Sequence, residues 1–181
     1  MNTTSRILGE ATRPPTSLEL SDPHMAYRYA RLVIKGRFPE GEATIATSSE
    51  HAYYYAKDVI DGPFPEGEAA IATNPEYAYK YARDIIEGRW PEGEAAIAKD
   101  PFSAYYYAMD VIKDPFPEGE AAIAKDMYWA YNYALQVIKG RFPEAEEAMA
   151  KDPEYSKEYL EAFPDAKIEW YAREWIDWTK L

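Results

Sequence analysis

One nine-residue motif recurs along the chain at a fixed interval and limits what the chain can fold into. Residues 64–72 read Phe-Pro-Glu-Gly-Glu-Ala-Ala-Ile-Ala, and copies begin at Phe38, Trp90, Phe116 and, more loosely, Phe142. Successive copies therefore start 26 residues apart, at positions 38, 64, 90, 116 and 142. A period of about 20–50 residues is typical of repeat proteins, in which each unit buries its apolar face by stacking on its neighbours.

Each unit is predicted to form a long helix, a turn and a short helix. Asp22-Pro23 combines an N-cap residue with a proline in the first helical turn. Apolar side chains then follow at i, i+3, i+4 and i+7, one stripe of a helix of about 13 residues: Ala26, Tyr29, Ala30 and Val33. We expect Gly36 to end this long helix and Pro39 to open a short helix that runs through Ala46.

The later units repeat these signals. Capping residues precede each further long helix, at Ser48, Asn74, Asp100, Asp126 and, for a sixth helix, Asp152. Inside the short helix, Gly41 aligns with Ala145 of the fifth copy, which predicts a helical backbone that does not need glycine. Isolated helices shorter than about 12–15 residues are marginal in water, so stacking on neighbouring repeats must stabilise them.

The sequence therefore predicts an all-α fold, an α-solenoid of helix-turn-helix repeats. Residues 1–21 are predicted to be an irregular N-terminal lead-in, with Leu18 and Leu20 covering the first repeat. Residues 22–152 hold five full 26-residue repeats. Residues 153–181 hold a degenerate sixth repeat and a tryptophan-rich C-terminal cap, as expected for an end that must cover an exposed core face.

Two tyrosines that stand two residues apart recur in each long helix. The pairs are Tyr27/Tyr29, Tyr53/Tyr55, Tyr79/Tyr81, Tyr105/Tyr107 and Tyr131/Tyr133. Two residues correspond to about 200° of rotation around a helix, so we expect burial against both the previous and the next repeat. The residue between them varies. Tyr54 and Tyr106 at that position are candidates for exposed aromatics that bind a protein partner, and burial between repeats is the alternative.

A second period of 52 residues (two units of 26) overlies the first. Copies one, three and five carry Gly-Arg before the aromatic residue, at Gly36-Arg37, Gly88-Arg89 and Gly140-Arg141. Copies two and four carry Gly62-Pro63 and Asp114-Pro115 instead. This alternation either records a duplication of paired repeats or makes alternate repeats differ on one face.

The charge of the chain favours a basic partner. The formal net charge is −12, which repels nucleic acids and anionic membrane surfaces at long range and attracts basic proteins. The alternative interpretation is solubility alone, because a repeat protein exposes much surface and needs charge on it.

The most regular surface feature is a pair of glutamates in the first turn of each short helix. The pairs are Glu40/Glu42, Glu66/Glu68, Glu92/Glu94, Glu118/Glu120 and Glu144/Glu146. Stacked repeats would align them into two carboxylate rows, which we interpret as an acidic ridge for a basic protein. Stabilisation by the helix macrodipole would also retain them. The ridge could compete for a basic cleft only if Arg37, Arg89 and Arg141 lie away from it. A divalent-metal site is disfavoured, because rows spaced by whole repeats do not converge on one ion.

Enzymatic chemistry finds little support in the sequence. His24 and His51 are interpreted as solvated residues near helix starts, and no nucleophile elbow or glycine-rich phosphate loop is recognisable. The five glutamate pairs are nearly identical, whereas acid–base catalysis needs two unequal carboxyl groups. There is no cysteine, and no segment reads as a secretory signal or a membrane span. We therefore predict no catalytic residues, no metal, no cofactor, and no direct contact with nucleic acid or membrane.

Residues 78–94 and 130–146 carry a pattern close to Ala-x-x-Tyr-Ala-x-x-Val-Ile-x-Gly-Arg-Trp-Pro-x-x-Glu. This pattern resembles a short helical repeat that is frequent in uncharacterised bacteriophage proteins, and the likeness covers residues 22 to about 152. The resemblance implies a phage-encoded protein in a bacterial cytoplasm and an antagonist of host defence. It is nearly silent about activity, and likeness of fold does not supply function.

Three functions are compatible with these features. The first is a non-catalytic acidic module that binds a basic surface on a host protein, such as one that handles nucleic acid. The second is a structural protein that self-associates or attaches to a phage particle. A weaker third is a small-molecule sponge that holds a nucleotide between tyrosines. The sequence leaves the oligomeric state, the binding face and the partner open.

Overall fold

The computed structural model describes residues 13–168, which form helices and connecting turns without strands. The contacts divide the chain into two units, residues 1–73 and 74–181. Within each unit a long helix packs on the short helix that follows it and on the next long helix. Thus α2 (Pro23–Tyr29) contacts α3 (Pro39–Ile45) and α4 (Ser49–Tyr55). The all-α solenoid of helix-turn-helix repeats is confirmed in each unit.

The first unit begins with α1 (Ser17–Ser21). The long helices α2 and α4 each continue without a break into a π-helical turn, π1 and π2. The remaining elements are π1 (Ala30–Ile34), π2 (Ala56–Ile60) and α5 (Pro65–Ile71).

The second unit repeats the pattern, and the last helix among its described residues is a long helix without a π-helical turn. Its elements are α6 (Pro75–Tyr81), π3 (Ala82–Ile86), α7 (Pro91–Ile97), α8 (Pro101–Tyr106), π4 (Tyr107–Ile112), α9 (Pro117–Ile123), α10 (Met127–Tyr133), π5 (Ala134–Ile138), α11 (Pro143–Met149) and α12 (Pro153–Ala162).

The predicted helix starts are confirmed. The side chain of Asp22 accepts a hydrogen bond from the Met25 backbone N–H at 2.8 Å, which satisfies one of the unpaired donors at a helix N-terminus. The other predicted caps accept equivalent bonds: Ser48, Asn74, Asp100, Asp126 and Asp152. Pro39 opens the first short helix, and Ala46 caps its end.

The prediction that Gly36 ends the long helix is wrong by one residue. Lys35 adopts the left-handed conformation with φ of 56°, and its N–H bonds the Ala30 carbonyl. The equivalent residues in the later repeats also have positive φ: Asp61, Glu87, Lys113 and Lys139. Because no glycine in the described residues has positive φ, Asp114 can replace the glycine that follows this cap in the fourth repeat.

The glycine inside the short helix is needed for close packing rather than for its backbone angles. A Cβ added at Gly119 would lie 2.7 Å from the Ala104 Cβ and 2.7 Å from the Phe116 ring. Added at Gly41, it would overlap the Phe38 ring. The predicted helical backbone, which does not need glycine for its angles, is confirmed, and the need for glycine in these copies comes from packing instead. The sequence pattern could not show it because the clash is with a neighbouring helix and an aromatic ring.

The N-terminal segment covers the first repeat through polar contacts. The Arg13 side chain donates to the carboxylate of Glu19, a residue that is only 5% exposed. The Arg13 backbone carbonyl accepts a hydrogen bond from the Tyr29 hydroxyl. Leu18 and Leu20 remain 54% and 40% exposed, so the prediction that they cover the repeat is wrong. The predicted tryptophan-rich cap lies outside the described residues.

Candidate functional site

The second tyrosine of a pair joins its repeat to the one before. The Tyr55 hydroxyl accepts a bond from the Phe38 backbone N–H at 2.7 Å and donates to Glu42 Oε1 at 2.8 Å. Tyr107 does the same with Trp90 and Glu94 at 2.8 and 2.9 Å. We call this arrangement the tyrosine bridge, and it recurs at Tyr133 with Phe116 and Glu120 and at Tyr159 with Phe142 and Glu146.

The tyrosine bridge is buried and fully paired. Tyr55 and Tyr107 have no exposed surface, and each ring packs on the aromatic residue of its own repeat, as Tyr55 does on Phe64 at 5.1 Å between centroids. Burial raises the pKa of Tyr55 to about 12. A buried hydroxyl that keeps both a donor and an acceptor is stabilising, whereas an orphaned partner would cost about 1–3 kcal/mol. The bridge therefore holds successive repeats in register.

The first tyrosine of a pair points to the following repeat. The Tyr27 hydroxyl donates to Asp58 Oδ2 at 2.6 Å, and Tyr79 donates to Asp110 Oδ2 at 2.7 Å. Arg31 donates in turn to the Tyr27 hydroxyl at 3.0 Å. The two tyrosines of a pair thus contact opposite neighbours, which confirms the prediction drawn from their 200° separation.

In alternate repeats an arginine forms a bidentate ion pair with the second glutamate. Arg37 donates to both oxygens of Glu42, at 2.8 and 3.0 Å, and Arg89 donates to both oxygens of Glu94, at 2.6 and 3.1 Å. Arg141 makes the same fork on Glu146. The hydrogen bond from Arg89 lowers the pKa of Glu94, and the hydrogen bond from the Tyr107 hydroxyl lowers it further by a smaller amount. Burial of the carboxylate opposes both effects. The 52-residue period therefore marks which repeats carry this ion pair, because proline stands at the arginine position in the others.

The two predicted carboxylate rows have different surroundings. The second glutamates, Glu42, Glu68, Glu94, Glu120 and Glu146, are partly or fully buried. The first glutamates, Glu40, Glu66, Glu92, Glu118 and Glu144, are all exposed. Arg89 Nη2 also approaches Glu118 Oε1 to 3.9 Å. The arginines therefore lie beside the carboxylates and not away from them, so the condition set for competing for a basic cleft is not met.

The candidate aromatics are only half-exposed. Tyr54 packs against Tyr53 with centroids 5.1 Å apart and against Tyr27 at 6.3 Å. Tyr106 lies among four rings: Tyr79, Phe102, Tyr105 and Trp129. Neither of the two sequence alternatives, exposure or burial, describes them fully.

Two more exposed aromatics are absent from the sequence prediction. Phe102 is 38% exposed and Tyr128 is 52% exposed. Each follows the first residue of its long helix, at a position that is His24, Glu50 and Glu76 in the earlier repeats. A large apolar residue at an otherwise polar repeat position was the signal that could have found them.

The two histidines touch each other. The ring centroids of His24 and His51 are 5.4 Å apart; His24 is exposed, whereas His51 is half-buried. Burial lowers the pKa of His51, and the charge of His24 lowers it further against the opposing effect of Glu50 and Asp22. The interpretation as solvated residues is therefore confirmed for His24 and wrong for His51, which is half-buried.

Neither a metal site nor a membrane span is found in residues 13–168, the part of the chain that the structure describes. That part of the chain contains no cluster of three or more His, Cys, Asp or Glu side chains placed to hold a metal ion. None of its helices combines the length and the apolar character that crossing a membrane requires.

The fold and these contacts define the chain as an all-α repeat protein in which tyrosines join successive repeats within each unit. No family model, no curated protein and no solved structure matches it.

Proposed function

We propose that this chain is a non-catalytic binding protein that uses its exposed first glutamates, Glu40, Glu66, Glu92, Glu118 and Glu144, to occupy a basic surface on another protein. The observation that carries the proposal is their common exposure at one position of every repeat. Four of the second glutamates serve folding instead: Glu42, Glu94, Glu120 and Glu146 accept the tyrosine bridge, and all of these except Glu120 also pair with an arginine.

The net charge of the chain supports binding to a basic partner, whereas the arginines beside the glutamates limit the charge density of the binding surface. The net charge of −12 steers a basic partner towards the chain and speeds association at low salt. The arginines beside the row reduce its charge density, so a protein with spaced basic residues fits it better than a uniform DNA-binding cleft. The bacteriophage-like repeat pattern supports a role as an antagonist of a host protein in the bacterial cytoplasm.

The test compares two variants with the same change of charge. In the first, the five first glutamates are replaced by glutamine. In the control, five other exposed acidic residues become amides: Glu50, Asp61, Glu87, Asp114 and Glu161. Each protein is used to capture bacterial lysate at low and at high salt, and the captured partner is purified for titration.

The proposal expects one partner that the wild type and the control capture at low salt and that the first variant loses. Capture should weaken at high salt, because exposed charges more than a Debye length apart are then screened. Equal loss in both variants would show that net charge alone matters, and capture that is unaffected by salt or by the five substitutions would overturn the proposal.

A further inference from the structure

A pocket of about 280 Å³ lies between α10 and α12 in the second unit. From α10 it is lined by Tyr128, Tyr131 and Asn132, and from α12 by Glu154, Tyr155 and Glu158. The rings of Tyr131 and Tyr155 meet at 68° with centroids 6.5 Å apart. The walls thus consist of three phenol rings and two carboxylates around one concave space.

The pocket exists because the fifth repeat has a small residue where the fourth has a large one. Tyr106 in α8 aligns with Asn132 in α10, one 26-residue repeat later. In the preceding groove the Tyr106 ring lies 5.5 Å from Trp129, and Phe102 lies 5.4 Å from the same indole. Asn132 instead turns its amide onto the Tyr128 carbonyl at 2.7 Å. An aromatic filling of the groove is therefore replaced by an open space with aromatic walls.

The carboxylates of the pocket are available to a ligand. Glu154 and Glu158 stand four residues apart on α12, so they lie on one face of the helix. The nearby Lys157 turns away, to within 3.8 Å of Glu161. Across the part of the chain that the structure describes, neither Glu154 nor Glu158 takes part in an ion pair. Burial raises the pKa of Tyr131, and the negative charges of Glu158 and Glu161 raise it further.

The same chain already places ammonium groups in such surroundings. The Lys80 Nζ lies 5.4 Å from the centroid of the Tyr77 ring and 2.5 Å from Glu76 Oε1. The Lys57 Nζ lies 5.6 Å from the centroid of the Tyr53 ring. Cations are attracted to the faces of aromatic rings, and cages of aromatic residues bind quaternary and methylated ammonium groups.

We propose that the pocket between α10 and α12 binds an alkylammonium group, with the three tyrosine rings around the cation and with Glu154 and Glu158 balancing its charge. The site is separate from the row of first glutamates, and its test does not depend on the function proposed above. Two sources can supply this chemistry, a free quaternary amine or a lysine side chain of a partner protein.

The first experiment titrates the full chain with choline and with 3,3-dimethylbutan-1-ol, an uncharged molecule of the same shape. Shifts of tyrosine ring signals in NMR spectra report binding. Choline should bind with a dissociation constant on the order of millimolar, and the uncharged molecule about 10-fold more weakly or not at all. Equal binding of the two, or binding of neither choline nor the lysine peptides described below, would overturn the proposal.

Four variants locate the site. Asn132→Tyr restores the residue of the fourth repeat and should abolish choline binding, with helical content by circular dichroism unchanged. Glu158→Gln should weaken binding about 2- to 5-fold, as expected for a partly exposed ion pair. Tyr155→Phe keeps the ring and should retain binding, whereas Tyr155→Leu should lose it. Glu87→Gln, at an exposed site outside the pocket, is the matched control. Wild-type affinity in Asn132→Tyr would exclude this pocket.

A second series distinguishes the two sources. Short peptides that contain one lysine, either unmodified or trimethylated, are titrated beside choline. Tighter binding of either peptide assigns the pocket to a protein side chain, and tighter binding of choline assigns it to a free amine. Peptides and choline that bind Asn132→Tyr as well as they bind the wild type would contradict both assignments.

Discussion

The two glutamates of each short helix stand two residues apart and have opposite surroundings. Glu94 is 13% exposed in its side chain and holds Arg89 as well as the hydroxyl of Tyr107, while Glu92 faces solvent. Both recur with the same regularity in all five repeats. Regular repetition therefore reflects two different constraints here, one from the joining of repeats and one from the outer surface.

The difference teaches that a repeated charged residue is not by itself evidence of a binding surface. Glu94 is retained by contacts that the fold needs, so its repetition needs no partner. Among residues 13–168 no hydrogen bond or ion pair holds the Glu92 carboxylate, so its stabilisation there is that of the helix macrodipole, about 0.3–1 kcal/mol. The outer row is thus the one for which a functional explanation is still required, and substitutions can separate the two rows.

The largest effect is expected from Glu94→Ala compared with Glu92→Ala. Loss of Glu94 leaves the buried Tyr107 hydroxyl without its acceptor and Arg89 without its partner, which should lower the free energy of unfolding by about 2–3 kcal/mol. Loss of Glu92 should cost less than about 1 kcal/mol. Urea denaturation followed by circular dichroism measures both. Equal costs would show that the inner and outer rows do not differ as described.

A somewhat smaller effect is expected from Gly119→Ala on the inner face of α9. The new methyl group would overlap the Ala104 side chain and the Phe116 ring, and overpacking of this kind costs about 1–3 kcal/mol. The reverse change in the fifth repeat, Ala145→Gly, is the control and should cost only about 0.5–1 kcal/mol as a glycine within a helix. Thermal unfolding compares the two. A neutral Gly119→Ala variant would show that the packing can relax.

The smallest effect concerns pH. The folded-state pKa of Glu94 is lowered mainly by the Arg89 hydrogen bond. Its contribution to stability is therefore present above the unfolded-state pKa of about 4.3 and is lost as the pH falls through the lower folded-state pKa. The difference in unfolding free energy between the wild type and Glu94→Gln should stay constant from about pH 7 to pH 5.5 and shrink below about pH 4. Glu92→Gln controls for the loss of one charge, and a difference that grows in acid would contradict the assignment.

Much of the fold could be predicted from the sequence because its signals are local. Asp22, Asn74 and Asp152 cap helices through their own side chains, and a proline sets the start of each short helix. The exact helix ends could not be predicted, since π-helical turns and a left-handed Lys35 depend on how the chain enters the connector. Gly36 looked like the cap because glycine usually takes that conformation.

Less of the site could be predicted. The 200° rotation that separates Tyr27 from Tyr29 separates Glu40 from Glu42 as well, so opposite faces for the two glutamates were within reach of the sequence. The sequence could not show which of the two faces is buried, because that depends on where the next long helix places its tyrosine. The pocket beside Asn132 could not be predicted either, because its prediction requires knowing that the equivalent Tyr106 fills the groove in the preceding repeat.

The sequence by itself determined the period, the helical class and the pairing of tyrosines with both neighbours, because capping, apolar spacing and rotation per residue act over a few residues. Only the tertiary structure decided that Glu42, Glu94, Glu120 and Glu146 serve the tyrosine bridge, that Gly119 must lack a side chain, and that a pocket opens beside Asn132. These outcomes depend on contacts between residues that are far apart in the chain. Tyr55 and Glu42, for example, are 13 positions apart, and Tyr27 and Asp58 are 31 positions apart. Such distances are set by how the helices stack and are not encoded in any single repeat.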